Sequence, residues 1–461
     1  MSSTRDAPVS DAAAGTTAAT VMRSGAWNAA SLVLPQLYLV AMSVIAARFL
    51  APDDMGRQSY IAFVALSLAQ LLAGGVPVAI QRFVAETLGR GEPGQAKALV
   101  AWGWRLMALA AIAAGATMVA AAALGSDPPA AWVLAAGIAA LTTLQMLPAS
   151  VLAALQRWRG VSILGMVAGA LTTVGVLGVL AAGGGIIGMF VVELAGTAAS
   201  FAVTLGLARR ALRELGAQPA EAPELRRRTA RWAAVATFSA VLSFLVWRRS
   251  EFLLLEATAS DAEIAMYSIA FGAMIALTRL PEAVGLVISP AFATLLGAGQ
   301  MDRIRTGYAR SIRLILLVAV PLTAAATALG PSAIRAVYGD AYGDAGTLLV
   351  IMAPTLPLLA LVSVSRGLIF GLGNQRALVV VGVLAAGLDV ALALLLIPRF
   401  GGVGAAITNA VAQLGSAIAY LTFTRGAVGP VAWAPGPTAR NVAAAATAGA
   451  AAWMAAASLA G

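Results

Sequence analysis

The hydrophobic positions of this chain fall into long, nearly uninterrupted runs, with the polar residues gathered between them. Neither the alternation of a half-buried strand nor the one-sided stripe of a surface helix organises most of its length. The runs reach about 20 residues or more, the length of helix that crosses about 30 Å of hydrocarbon. They predict helices over residues 27–48, 58–80, 99–124, 131–155, 161–182, 186–207, 232–256, 264–290, 310–330, 345–370, 377–397, 402–424 and 439–460. Lipid offers no hydrogen-bond partners, so each run must satisfy its own backbone as a helix. The expected class is an all-α polytopic membrane protein.

Composition agrees. Hydrophobic residues make up 60% and charged residues 11%, against about 25% charged in a soluble domain. The charges also orient the chain. Of the 30 basic residues, four (Arg48, Arg57, Arg335, Arg399) fall at one set of helix ends and three (Arg248, Arg249, Arg279) inside spans; the rest fall at the other set. Arginine-rich ends face the cytoplasm by the positive-inside rule, which places the N-terminus inside and the protein in the cell inner membrane. The net charge of +10 then reflects loops facing anionic headgroups, with membrane lipids and no nucleic acid as partners. Trp27, Trp102, Trp104, Trp158 and Trp232 at predicted cytoplasmic ends, and Trp132 at an outer end, read as an interfacial belt.

Two absences narrow the chemistry. With no cysteine and no histidine, thiolate catalysis, disulfides, haem and the usual zinc sites are excluded. No cofactor is expected, and any coupling to a proton or sodium ion must use carboxylates. There is also no GxxxxGK[ST] phosphate loop and no large soluble domain. The chain reads as a transporter, not an enzyme.

A polar, arginine-rich stretch over 209–231 divides the helices into two sets of six. The expected organisation is a disordered cytoplasmic tail (1–24), an N-terminal six-helix lobe (25–208), this linker, a C-terminal six-helix lobe (232–424), and a thirteenth helix within 425–461. The stretches Leu152–Gly165 and Gly183–Gly196 are echoed by Gly367–Val380 and Gly401–Gly415. An even number of helices per half gives both repeats the same orientation, the plan of transporters that rock two bundles about a central site.

Three segments carry a family resemblance: LIPRFGGVGAAITNAV (Leu396–Val411), AARFLAPDDMGRQSY (Ala46–Tyr60) and DAEIAMYSIAF (Asp261–Phe271). They resemble the oligosaccharide and polysaccharide flippases of the multidrug/oligosaccharidyl-lipid/polysaccharide (MOP) exporter superfamily. The resemblance implies a flippase that moves a polyprenyl-diphosphate-linked oligosaccharide for surface polysaccharide synthesis, working beside polysaccharide-assembly proteins.

Arginines inside spans are the sharpest local signal, because a charge at mid-bilayer costs at least about 2.5 kcal/mol unless it faces a cavity or partner. Guanidinium groups bind phosphate through paired hydrogen bonds, so Arg249, Arg248 and Arg279 are candidates for a diphosphate site. Glu251 lies three residues from Arg248, and Glu282 three from Arg279, so each pair can equally neutralise itself on one helix face. Asp389, Glu282 and Glu251 are candidates for ion coupling, with a cross-helix ion pair as the alternative for Asp389. Glu193 and Glu256 are further carboxylates at depth. Asn28, Gln36, Gln70 and Gln145, with Asn409 and Gln413, are candidates to line a hydrophilic cavity or to bond helices together. A cation-coupled multidrug exporter and a non-transporting scaffold are the competing readings.

Overall fold

A computed structural model describes residues 37–247, 251–297, 299–372 and 375–429. The described residues contain helix and no strand. In chain order the helices are α1 (Leu37–Phe49), α2 (Pro52–Ala73), α3 (Val76–Gly89), α4 (Pro93–Ala123), α5 (Pro129–Ala154), α6 (Trp158–Ala181) and α7 (Gly185–Glu214). They continue with α8 (Pro223–Trp247), α9 (Glu251–Thr258), α10 (Asp261–Gly297), α11 (Met301–Tyr338), α12 (Asp344–Met352), α13 (Leu356–Gly371) and α14 (Gln375–Val428). Among the described residues, eight helices are long and apolar enough to cross a membrane, nine when the bent α2–α3 pair counts as one span. Together the elements correspond to the first twelve predicted spans, and the segment 439–460 lies outside the described residues.

Several predicted spans are broken, each for a local reason. The second bends by 43° between α2 and α3. Gly74 there has φ +53, a conformation L side chains rarely adopt, and Pro77 stands in the first turn of α3, where its missing N–H is no loss. The backbone N–H of Gly75 donates to Thr237 Oγ1 of α8 at 2.8 Å, so a neighbouring helix satisfies the break. The tenth span pauses in a 3-10 turn at Ala353–Thr355, where Pro354 sits. Spans eleven and twelve run together in α14, kinked at Gly401 (φ 51, ψ −130). The linker is mostly helical: α7 runs on to Glu214 and α8 begins at Pro223. It therefore extends α7 and α8 and is interrupted over 215–222.

Apolar side chains cover the outside. Leu109, Ile112, Leu171 and Val174 are 65–68% exposed, a surface suited to lipid and not to water. Trp132 departs from the interfacial belt expected of it. It is 6% exposed and packs edge-on against Tyr60, with ring centroids 6.0 Å apart. Trp232 likewise turns inward, onto Phe83 of α3.

The buried apolar residues form three clusters. At the arginine-poor end one continuous core draws on helices from both sides of the linker, from Ala46, Met55 and Trp132 to Ile264, Tyr342 and Ile397. Phe63 stacks on Phe252 at 5.0 Å, Phe252 meets Tyr267 at 5.4 Å, and Tyr267 meets Phe271 at 5.7 Å. This aromatic row ties α2 to α9 and α10. At the arginine-rich end the core divides. One cluster joins α3, α4, α5 and α7 with Ala233 of α8. The other joins α11 and α13 with parts of α10 and α14.

Candidate functional site

A cavity of about 700 Å³ opens beside the shared core, with Ala46, Met55, Phe63, Met189, Phe190 and Phe271 of that core in its wall. Its walls are α1, α2, α5, α6 and α7 on one side and α10 with Tyr338 of α11 on the other. The polar lining comes from helical stripes. Ser59, Ser67 and Gln70 of α2, Thr142 and Gln145 of α5, and Glu193, Thr197 and Ser200 of α7 recur at three- and four-residue or two-turn intervals, so each set shares a face. Gln145 Nε2 donates to Ser200 Oγ at 2.8 Å. Among the described lining residues Arg279 is the basic group and Glu193 the acidic one.

The arginine-poor end above the cavity is sealed by polar contacts, most of them across the linker boundary. Arg57 Nη2 and Nε donate to Asp261 Oδ2 at 2.5 and 3.1 Å, and Arg57 Nη1 to the Asp127 carbonyl at 2.8 Å. Arg48 reaches the carbonyls of Val337 (2.7 Å) and Ala336 at the end of α11. The Tyr342 hydroxyl donates to the Leu50 carbonyl at 2.9 Å, and burial pushes that phenol up to about 12. Ser59 and Ser268 meet at 3.0 Å. The close approach of α2 to α10 requires Gly56, because a methyl added there would lie 1.7 Å from the Asp261 carbonyl oxygen.

A second polar group lies in the C-terminal helices, outside the cavity lining. Glu251 of α9 is 2% exposed and Asp389 of α14 is 1% exposed, and the two carboxyls are close enough to interact. Asn409 Nδ2 donates to Glu251 Oε1 at 3.3 Å, and Gln413 is buried one turn further along.

The structure thus sorts the sequence candidates. Arg279 and Gln70 line the cavity, as does Gln145. Glu251 and Asp389 come together elsewhere, and Asn409 joins them as an interhelical bond instead of lining the cavity. Arg248, Arg249, Asn28 and Gln36 lie outside the described residues, as does the side chain of Glu282. Sequence reading noted Glu193 only as a carboxylate at depth. The Glu193–Thr197–Ser200 stripe was the available sign that it faces other polar groups.

The motif Leu396–Val411 also gains a structural role. The positive φ of Gly401 lets the chain break, and the freed N–H of Gly402 donates to Glu263 Oε2 at 2.9 Å. A methyl at Gly401 would sit 1.9 Å from that same oxygen.

A family model described as lipid II flippase MurJ matches residues 138–460, well over half of the chain. The chain belongs to the MurJ family. The resemblance to MOP-superfamily flippases read from the three segments is borne out, and the chain is a multi-pass membrane transporter, not an enzyme. A solved structure described as lipid II flippase MurJ in an inward closed conformation superposes with a TM-score of 0.71 at 12% identity, over 92% of this chain and 90% of that one. An inward-facing multidrug resistance MATE transporter of the MOP superfamily gives 0.70 at 14% identity, over 86% and 94%. A MOP-superfamily transporter from Pyrococcus furiosus, described as having a binding pocket of reversed polarity, gives 0.53 at 13% identity, over 86% and 94%. At these identities the structures speak for the fold alone. No curated protein matches the chain at significance.

Proposed function

We propose that this MurJ-family protein flips a lipid-diphosphate-linked saccharide across the inner membrane by alternating access. The observation that carries the reading is the cavity bounded by helices from both sides of the linker, sealed at the arginine-poor end and holding Arg279. With the arginine-rich ends in the cytoplasm, the cavity is loaded from the inner leaflet, and release requires the two six-helix lobes to part at the other end. Arg279 takes the diphosphate through paired, charge-assisted hydrogen bonds, and the amides and hydroxyls of the stripes take sugar hydroxyls.

The family name points to a peptidoglycan precursor as cargo. A surface-polysaccharide oligosaccharide is the second reading, favoured by one observation. The wall built from α1 and α2 (Tyr38 to Gln70) lies outside the matched residues 138–460, so the family match says nothing of that part of the headgroup surface. Coupling to a proton or sodium ion is assigned to Glu251 and Asp389, whose adjacency gives a cation two carboxyls at once.

The test is leaflet-resolved transport in proteoliposomes carrying a fluorescent polyprenyl-diphosphate saccharide. Losing charge-assisted bonds worth about 1.5–3 kcal/mol predicts a drop of roughly 10- to 100-fold in apparent affinity for Arg279→Ala. Arg279→Lys should recover only part, since an ammonium cannot present two parallel donors. Unchanged transport by Arg279→Ala would remove the arginine from the substrate site. Rates in Glu251→Gln and Asp389→Asn that follow a sodium or proton gradient as the wild type does would remove the coupling assignment.

A further inference from the structure

Arg279 satisfies the expectation of an anionic cargo, but Glu193 is unexplained by it. A carboxylate in the wall of a phosphate-binding cavity would repel the headgroup unless it meets a cation. Glu193 lies on α7, on a separate wall from Arg279 on α10, and no ion pair joins the two. Glu193 is half-buried and lines the cavity. Two polar side chains nearby on α5 and α7 are spent elsewhere. Gln145 spends its amide on Ser200, and Thr204 bonds its own backbone at the Ser200 carbonyl. Among the described residues Glu193 has neither a hydrogen-bond partner nor an ion-pair partner.

A half-buried carboxylate inside a membrane-spanning helix is costly to keep unless a ligand completes it. The neutral amides and hydroxyls that share the cavity lining would accommodate sugar or peptide groups without adding charge. We infer that the cavity recognises a zwitterionic headgroup, with phosphate at Arg279 and a primary ammonium of the same cargo at Glu193. This rests on the flippase reading above and deepens it. It predicts that a lipid-linked saccharide bearing a free amine binds better than its N-acylated form, because only the ammonium supplies the counter-charge.

The experiment measures binding in nanodiscs of phosphatidylglycerol, which contribute no amine beyond the probe. Two probes are compared, a polyprenyl-diphosphate saccharide with a free primary amine and the same molecule N-acetylated. Wild type should favour the amine about tenfold or more. Glu193→Gln, close in shape but uncharged, should bind both probes equally, at the level of the acetylated probe on wild type, and Glu193→Asp should retain part of the preference. Arg279→Ala should weaken both probes alike. Adding phosphatidylethanolamine distinguishes the source of the ammonium. Competition with the amine probe that disappears in Glu193→Gln would show the same site filled by a bulk lipid. Equal binding of both probes by wild type, or an equal loss of both in Glu193→Gln at an unchanged melting temperature, would overturn the inference. Failure of either probe to bind wild type would instead overturn the flippase reading beneath it.

Discussion

The two ends of the helix bundle are held together by different physics. At the arginine-poor end one apolar core crosses from α2 to α9 and α10, and polar contacts from Arg48, Arg57, Ser59 and Tyr342 close over it. At the arginine-rich end the core is split in two. Contacts between the sides there run mainly through α8, which lays Trp232 on Phe83, brings Arg228 to Glu86 at 3.0 Å, and fills the Gly74–Gly75 notch with Thr237. A transporter that alternates needs one end whose closure is firm yet reversible. Close glycine packing, neutral buried hydroxyl contacts and the partly exposed Arg57–Asp261 pair suit that task, because each is small.

This contrast can be tested from its strongest element to its weakest. Phe252→Ala removes the centre of the shared aromatic row and should cost about 3–5 kcal/mol, read as lower thermal stability of the whole protein. Leu147→Ala, in the N-terminal arginine-rich cluster, should cost about 2–5 kcal/mol. Hydrogen exchange should confine its loosening to α3, α4 and α5, since the core is divided there. If both variants loosen the entire chain equally, the split is not a mechanical boundary.

Gly56→Ala should hold the sealed end ajar. Overpacking of this kind costs on the order of 1–3 kcal/mol, and the natural chain has no cysteine to interfere with a labelling assay. A single cysteine placed at Ser59 should therefore become reactive to an impermeant maleimide from the arginine-poor side in this background. Continued protection would mean that α2 and α10 do not meet as closely as described.

Arg57→Ala should act in the same direction and more weakly, by about 0.5–1 kcal/mol, because the pair is 31% and 21% exposed and therefore screened. Combining it with Asp261→Asn should add little, as expected for partners in one interaction. Tyr342→Phe should remove one hydrogen bond worth about 1 kcal/mol. The phenol's pKa is raised in the fold, so this contribution is present below its unfolded value near about 10 and is lost as pH rises towards about 12. The stability gap between wild type and Tyr342→Phe should accordingly close at the alkaline end of a pH series.

Much of the architecture was legible in the chain, for reasons that particular residues make plain. Runs such as 99–124 and 310–330 are apolar over the full thickness of a bilayer, and lipid leaves helix as their only conformation. The breaks were partly legible too. Pro77 and Pro354 marked two of them, whereas the turn at Gly401 depends on Glu263 arriving from α10 to accept the freed N–H of Gly402. Trp132 shows the limit of a one-dimensional reading. An aromatic at a helix end suits the membrane interface, yet here Tyr60 and the shared core claim it.

The site divided along the same line. Arg279 stood out because a guanidinium inside an apolar run requires a partner or a cavity. That Gln70 lines the same cavity while Asn409 bonds Glu251 could not be read from either residue, since a buried amide suits both roles equally. The sequence by itself determined that this chain is helical, that it crosses the membrane many times, and which helix ends share a side, because hydrophobic length and charge are local properties. Only the tertiary structure decided which end is sealed, that Glu251 and Asp389 meet, and that Glu193 faces the same cavity as Arg279. Those relations join residues on different helices, and no spacing along the chain encodes them.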